Sequence, residues 1–277
     1  MTLSEARQAG VFAADIAPAV CEFCEAKLEP LGMAFPWMDR WQFLRYQDCD
    51  CPEAVASREE KRLAEEARAK QEADRLYRER LADMVRKSGL GRRFVHRTFD
   101  TYTVNRKNQE AYEVARAYAR EFPRHRREGT GLLLSGGCGT GKTHLAAAIC
   151  HEVIKQDYQP IFGTMIALLD RIRATYGESQ ASGERIVRQY SACDLLVIDD
   201  LGKEKPSEWV LERLYHIINT RYEDCLPIIF TTNYTIDRLA DRLTLRDNRE
   251  AADAILSRIF EMCTGVLCDW NDHRKAV

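Results

Sequence analysis

Gly131-Leu-Leu-Leu-Ser-Gly-Gly-Cys-Gly-Thr-Gly-Lys-Thr-His-Leu-Ala-Ala-Ala-Ile149 is the stretch that decides the fold. It reads as a short apolar strand, a glycine-rich turn and a helix opened by Lys142. Gly136, Gly141, Lys142 and Thr143 satisfy the spacing G-x-x-x-x-G-K-T. Glycine lets the backbone curl so that successive N–H groups converge on one phosphate. The dipole of the following helix brings its positive end to the same point. Gly136, Gly137, Cys138, Gly139, Thr140, Gly141, Lys142, Thr143 and His144 are therefore the expected cradle for ATP or ADP. Lys142 is expected to reach the β- and γ-phosphates, and the Thr143 hydroxyl to hold Mg²⁺. The alternative is a chance glycine turn, which the strand before it and the helix after it disfavour.

Beyond this loop, apolar runs alternate with helical patterns. Residues 160–164 read as a second strand and 165–176 as a helix. Asp194-Leu-Leu-Val-Ile198 is a continuous apolar run, as a strand covered on both faces should be. A helix over 207–222 leads to a strand over 226–232, helices near 236–243 and 252–262, and a last strand over 265–268. An amphipathic helix over 108–122 precedes the loop. Five strands alternating with helices predict an α/β fold of the P-loop NTPase type. Its five-stranded parallel sheet should carry helices on both faces.

Asp199 and Asp200 end the third apolar run. Ligands bind at the carboxyl edge of open α/β sheets, so both acids should face the phosphates. Asp199 suits holding Mg²⁺ directly or through water. Asp200 suits orienting or deprotonating the attacking water. Capping the next helix is the alternative for either acid. Asn233 ends the next strand, where it either holds the water between γ-phosphate and carboxylate or simply forms a turn.

With 277 residues, 45% of them hydrophobic, the chain can build one medium domain plus an appendage. A net charge of −2 supplies no global basic field, so any nucleic-acid contact must be a local patch. No apolar run reaches the ~18 residues of a membrane span. The opening Met1-Thr-Leu-Ser-Glu-Ala-Arg7 lacks the apolar core of a secretory signal. Six of the ten cysteines (Cys138, Cys150, Cys193, Cys225, Cys263, Cys268) lie in or beside apolar runs, where cysteine acts as a small buried hydrophobe. Both features point to a reducing cytoplasm.

The other four cysteines form two close pairs, Cys21-Glu-Phe-Cys24 and Cys49-Asp-Cys51. Such pairs across a loop are how small domains build a tetrahedral Zn²⁺ site. The aromatic loop between them, through Trp37 and Trp41, could pack over so small a module. Metal would contribute much of the stability of a piece this short. Two free thiol pairs or an iron–sulfur cluster are the alternatives. The expected division is a zinc-binding module over 1–55, a charged helical connector over 56–93 and a nucleotide-binding domain over 94–277. The connector's mixed charges read either as a solvated helix face or as a spacer that binds a partner.

The ordered set Gly136 to Thr143, Leu195-Leu-Val-Ile-Asp-Asp-Leu-Gly202, Thr231-Thr-Asn233 and Leu256-Ser-Arg-Ile259 resembles the AAA+ ATPases. With the ending Cys268-Asp-Trp-Asn-Asp-His-Arg274, it is similar to the DnaC/DnaI-type helicase loaders and their IstB-type relatives over residues 94–277. The cysteine pairs resemble, in pairing and order, the zinc-bearing helicase-contact domain of DnaI-type loaders. The resemblance implies that Asn233 is the sensor 1 position and Arg274 takes the place of sensor 2. It implies that Arg258 is an arginine finger acting in trans in a neighbouring subunit's site, so that the chain self-oligomerises. Read as residues alone, each arginine is more often a surface salt-bridge partner.

The implied function is an ATPase that loads a hexameric DnaB-type replicative helicase onto single-stranded DNA, gripping it through residues 1–55. Arg171, Arg173, Tyr176 and Arg188 suit a phosphate-plus-stacking grip on that DNA, or else form a solvated basic face. Two departures point to slow turnover: Asp200 stands where many AAA+ proteins carry Glu, and little chain follows the fifth strand to build a lid. The rival functions are an IstB-like transposition helper, acting on double-stranded DNA with a transposase, and a nucleotide-sensing adaptor without hydrolysis.

Overall fold

The computed structural model describes residues 1–11, 16–35, 38–175, 180–245 and 249–271. Two units emerge, Met1–Tyr77 and Arg78–Val277, and the division falls inside a single helix. In the first unit, α1 (Leu3–Gln8) starts at Thr2, whose hydroxyl and the Glu5 carboxylate form a reciprocal capping box. Strands β1 (Ala19–Val20) and β2 (Lys27–Leu28) pair antiparallel, as do β3 (Pro30–Phe35) and β4 (Met38–Tyr46). The core is small: Leu3, Ala6 and Trp41, with Val11 and Ile16 against them. Trp41 lies so tightly across Gly32 that a Cβ there would fall 2.2 Å from its ring. Trp37, the other aromatic expected in this loop, lies outside the described residues.

Helix α2 (Pro52–Ser88) runs for 37 residues. Arg62 pairs with Glu59 and Glu66, Arg75 with Glu72, and Lys87 with Asp83, all at helical spacing. Such exposed pairs are screened by solvent and add little to stability. Leu63, Leu76 and Tyr77 remain exposed on it.

The second unit adds α3 (Gln109–Arg120), α4 (Phe122–Glu128), β5 (Gly131–Gly136), α5 (Lys142–Lys155), β6 (Pro160–Thr164) and α6 (Met165–Ala174). It continues with α7 (Gln180–Ala192), β7 (Leu195–Asp199), α8 (Glu208–Glu223), β8 (Ile228–Thr232), α9 (Ile236–Leu243), α10 (Glu250–Met262) and β9 (Cys263–Cys268). Local chemistry sets several starts: Thr164 caps α6 through the Ala167 N–H, and Ser207 caps α8 through the Val210 N–H. The five strands form one parallel sheet in the order β6-β7-β8-β5-β9. One face carries Leu196, Ile198 and Phe230 against α6 to α10; the other carries Leu132, Leu134, Val197 and Ile229 against α3 and α5. Strand β7 is buried along its whole length, which is why it reads as an unbroken apolar run.

Three expectations change. The helix expected over 108–122 is two, α3 and α4. The helix expected over 165–176 is α6 alone, and α7, Gln180–Ala192, was not expected. The six scattered cysteines are not uniformly buried: Cys150 and Cys268 are, but Cys138 and Cys225 are exposed. Cys138 sits between two glycines at the tip of the loop, and Cys225 follows α8 with φ +50 in a turn. Among the described residues no helix is long and apolar enough to cross a membrane.

Candidate nucleotide site

Strand β5 lies between β8 and β9, and the loop after it emerges at the carboxyl edge of the sheet. Gly136 (φ +146) passes so close to β9 that a Cβ would lie 2.1 Å from the Cys268 carbonyl. Gly141, at φ +91, turns the chain into α5, and a Cβ there would meet the Tyr102 ring at 2.9 Å. Thr140 anchors the curl from inside, its hydroxyl donating to Gly137 O at 3.0 Å. The Thr140 carbonyl is gripped from outside by the Trp270 indole N–H at 2.9 Å and the Tyr102 hydroxyl at 3.4 Å. His144 Nε2 lies 2.8 Å from Thr98 O.

Lys142 is 5% exposed, and its ammonium donates to Gly136 O at 2.9 Å, Gly137 O at 2.6 Å and Thr140 Oγ1 at 3.3 Å. Burial pulls its pKa below the ordinary lysine value. Thr143, one residue on, donates its hydroxyl to Asp199 Oδ1 at 2.9 Å. Thr231 donates to the same oxygen at 2.5 Å. Burial pushes the Asp199 carboxyl up, the Thr231 bond opposes this, and the neighbouring Asp200 adds to it. Asp200 leaves the strand at φ +60, its N–H donating to Thr231 Oγ1 at 2.9 Å. Asn233 Nδ2 donates to Asp200 Oδ1 at 3.2 Å, and Lys203 Nζ lies 2.7 Å from Oδ2.

The residues expected from the sequence to form one site thus meet as two linked pairs, Thr143 with Asp199 and Asp200 with Asn233, beside Lys142. A hydroxyl and a carboxylate in contact at the base of a glycine-rich loop can hold a divalent cation, and the loop's N–H groups can hold phosphate. Tyr102, Thr231, Lys203 and Trp270 were not singled out from the sequence. Thr231 and Trp270 lie inside quoted motifs, but their contacts depend on chain brought from elsewhere.

Arg258 lies on α10, in contact with α8. It donates to Asn219 Oδ1 at 2.7 Å and to the Tyr215 hydroxyl at 3.0 Å, and stacks over the Tyr215 ring at 4.8 Å. Arg274 and Tyr176 lie outside the described residues. Arg173 stacks 4.5 Å over Trp209, and Arg171 and Arg188 are exposed on α6 and α7. A cleft of about 590 Å³ between α8 and α10 is lined by Glu208, Glu212, Tyr215 and Glu250 among others, none of them phosphate-loop residues.

In the first unit, Cys21 and Cys24 flank the turn between β1 and β2, while Cys49 and Cys51 follow β4 at the entrance to α2. Their Sγ atoms all lie within 4.8 Å of one another, with Cys24–Cys49 at 3.4 Å and Cys21–Cys51 at 3.9 Å. A tetrahedral site with Zn–S of ~2.3 Å places its sulfurs about 3.8 Å apart, so the cluster fits zinc. Without metal the four thiols share protons unevenly: the backbone N–H groups of Cys24 and Phe23 pull Cys21 down to about 7, while Cys24 and Cys51 are pushed up, so zinc would have to displace protons from the cluster.

Residues 55–276 match the profile of the IstB-like ATP binding proteins. The chain belongs to that family. Like other IstB-like proteins it is an AAA+ ATPase, here with a four-cysteine zinc-binding module ahead of the core. It is similar to the replicative helicase loader DnaC of Escherichia coli (strain K12), with 27% identity over 182 residues, 65% of this chain and 70% of that protein. Among solved structures, the DnaC helicase loader superposes with a TM-score of 0.56 at 28% identity, covering 64% of this chain and 99% of that one. The DnaI structure superposes with a TM-score of 0.57 at 24% identity, covering 64% and 93%, a likeness of fold.

Proposed function

We propose that this IstB-like ATPase is a helicase loader in DNA replication, holding a DnaB-type hexamer and single-stranded DNA under the control of ATP. The carrying observation is the cluster of four cysteines ahead of an AAA+ core that is similar to DnaC. Residues 1–55 are the helicase-contacting module, 56–93 the connector and 94–277 the ATPase domain.

Within the site, Lys142 exchanges its loop carbonyls for β- and γ-phosphate oxygens. Thr143 and Asp199 would hold Mg²⁺, which would offset phosphate charge. Asp200, steadied by Asn233, orients the attacking water and accepts its proton. Arg258 completes a neighbour's site after leaving Tyr215 and Asn219, and Arg274 takes the sensor 2 role. The short Asp200 side chain makes turnover slow, which suits a switch rather than a motor. Arg171, Arg173, Tyr176 and Arg188 are the DNA contacts. Operation in a cytoplasm follows from these partners.

The family profile itself favours a second reading, a transposition helper on double-stranded DNA with a transposase. A pulldown with the full chain separates the two. A loader retains replicative helicase in a nucleotide-dependent way and prefers single-stranded oligonucleotide. Retention of neither helicase nor single strand, with tight duplex binding, supports the helper and overturns the loader.

A further inference from the structure

The turn after β7 carries a cation that the site as assigned does not use. Asp200 occupies the left-handed region at φ +60, which Asp tolerates better than most side chains, and its surroundings fix it there. Thr231 holds its N–H, and the Lys203 N–H donates to its carbonyl at 3.3 Å, closing a turn. Gly202, at φ +89 within that turn, is fixed in its own right. Its carbonyl accepts from Arg242 Nε at 3.0 Å, and its N–H donates to the Glu204 carboxylate at 3.2 Å. The turn folds Lys203 back over the strand end, with Nζ 2.7 Å from Asp200 Oδ2. Asn233 takes Oδ1. Each oxygen of this carboxylate therefore already accepts a hydrogen bond from a side chain of the same chain.

We propose that Lys203 is a brake on ATP hydrolysis, its ammonium competing with the attacking water for the Asp200 carboxylate and lowering its basicity. The proposal rests on the reading of Asp200 as the water-orienting group. Asn233 sits at the end of β8, where its short side chain has little reach. Lys203 has a four-carbon stem and a side chain 44% exposed, against 29% for Asp200. The movable donor is thus Lys203, and hydrolysis waits on its withdrawal. A freely solvated ion pair would couple weakly to anything. This one is built onto a turn whose backbone is held by Thr231, Arg242 and Glu204, so the ammonium returns to the same oxygen.

The test uses the full chain in single-turnover hydrolysis at saturating ATP, with ATP affinity measured separately. Lys203→Met should raise the hydrolysis rate roughly three- to tenfold, the scale of one half-exposed ion pair, with affinity unchanged. Lys203→Gln should do the same, and Lys203→Arg, which keeps the charge, should stay slower than either. In an Asp200→Asn background Lys203→Met should add nothing, because the brake acts only through that carboxylate. An unchanged or slower Lys203→Met with ATP affinity intact overturns the brake, as does a gain that survives Asp200→Asn. If Asp200→Asn alone hydrolyses like wild type, the reading of Asp200 fails first and takes the brake with it.

Discussion

The Thr143 hydroxyl donates to Asp199 Oδ1 at 2.9 Å, across 56 residues of sequence. That contact joins the phosphate loop to the acidic end of β7, and a cation shared by the two would neutralise a carboxylate that burial disfavours. Asp199→Asn should weaken Mg²⁺-dependent ATP binding by at least roughly tenfold. Magnesium-free binding should change much less. Because burial holds the Asp199 carboxyl above 3.8, acidification should erode the Mg²⁺ dependence before an ordinary carboxylate would protonate. Titrations of fluorescent ATP with and without Mg²⁺ at several pH values check both statements.

The Thr140 carbonyl, gripped by Trp270 and Tyr102, ties the loop tip to segments on either side of it in sequence. Trp270→Phe keeps a ring and removes the donor. It should cost about 1 kcal/mol, roughly fivefold in ATP affinity if the loop loosens. Gly141→Ala should be worse, since it strains φ +91 and drives a methyl into Tyr102. Calorimetric ATP binding on both variants, with thermal midpoints as a folding control, decides it.

Three half-buried histidines, His125, His144 and His151, have pKa values below 6.5, and burial is the first cause for each. A histidine kept neutral by the fold binds protons more readily when unfolded. Stability is therefore intact above 6.5 and falls as pH drops through the window between 6.5 and the folded values. The thermal midpoint should decline from roughly pH 7.5 to pH 5.5. His125→Gln, whose amide can still bond the Thr130 hydroxyl, should flatten that decline. A flat wild-type profile would contradict the assignment.

The four-cysteine cluster should carry about one zinc per chain by metal analysis. Chelation should melt the first unit, whose core is little more than Leu3, Ala6 and Trp41, and leave ATP binding by the second unit intact. Cys49→Ser should lower zinc content in the same way. Proteolysis before and after chelation reads out the first unit, and an unaltered digestion pattern would count against a structural metal.

Arg258→Ala should abolish ATPase activity that depends on protein concentration, while ATP binding to the monomer persists. A mixture of Arg258→Ala with the hydrolysis-deficient Asp200→Asn chain should recover part of the activity, since one supplies the finger and the other an intact site. No recovery in the mixture would argue that Arg258 serves only its contacts with Asn219 and Tyr215.

The amino-acid order alone determined whatever depends on near neighbours. The spacing of Gly136, Gly141, Lys142 and Thr143 dictates a strand, a left-handed turn and a helix start, because those conformations are set within a few residues. The apolar run before Asp199 marks a strand buried on both faces for the same local reason. Cys21 with Cys24 and Cys49 with Cys51 were legible as two pairs, although their convergence needed a hairpin to bring them within 4.8 Å. Helix α7 was hidden because its opening, Gln180-Ala-Ser-Gly-Glu184, carries a glycine and little apolar signal.

Only the tertiary structure decided which of these pieces meet. The order β6-β7-β8-β5-β9 places Thr143 on Asp199, Asn233 on Asp200 across 33 residues, and Trp270 on Thr140 across 130. It also turned Lys203 onto the carboxylate three residues before it, through a glycine turn held by Arg242 from α9. Such pairings reflect sheet order and burial, which no local preference encodes, because they exist only once the separate strands share one core.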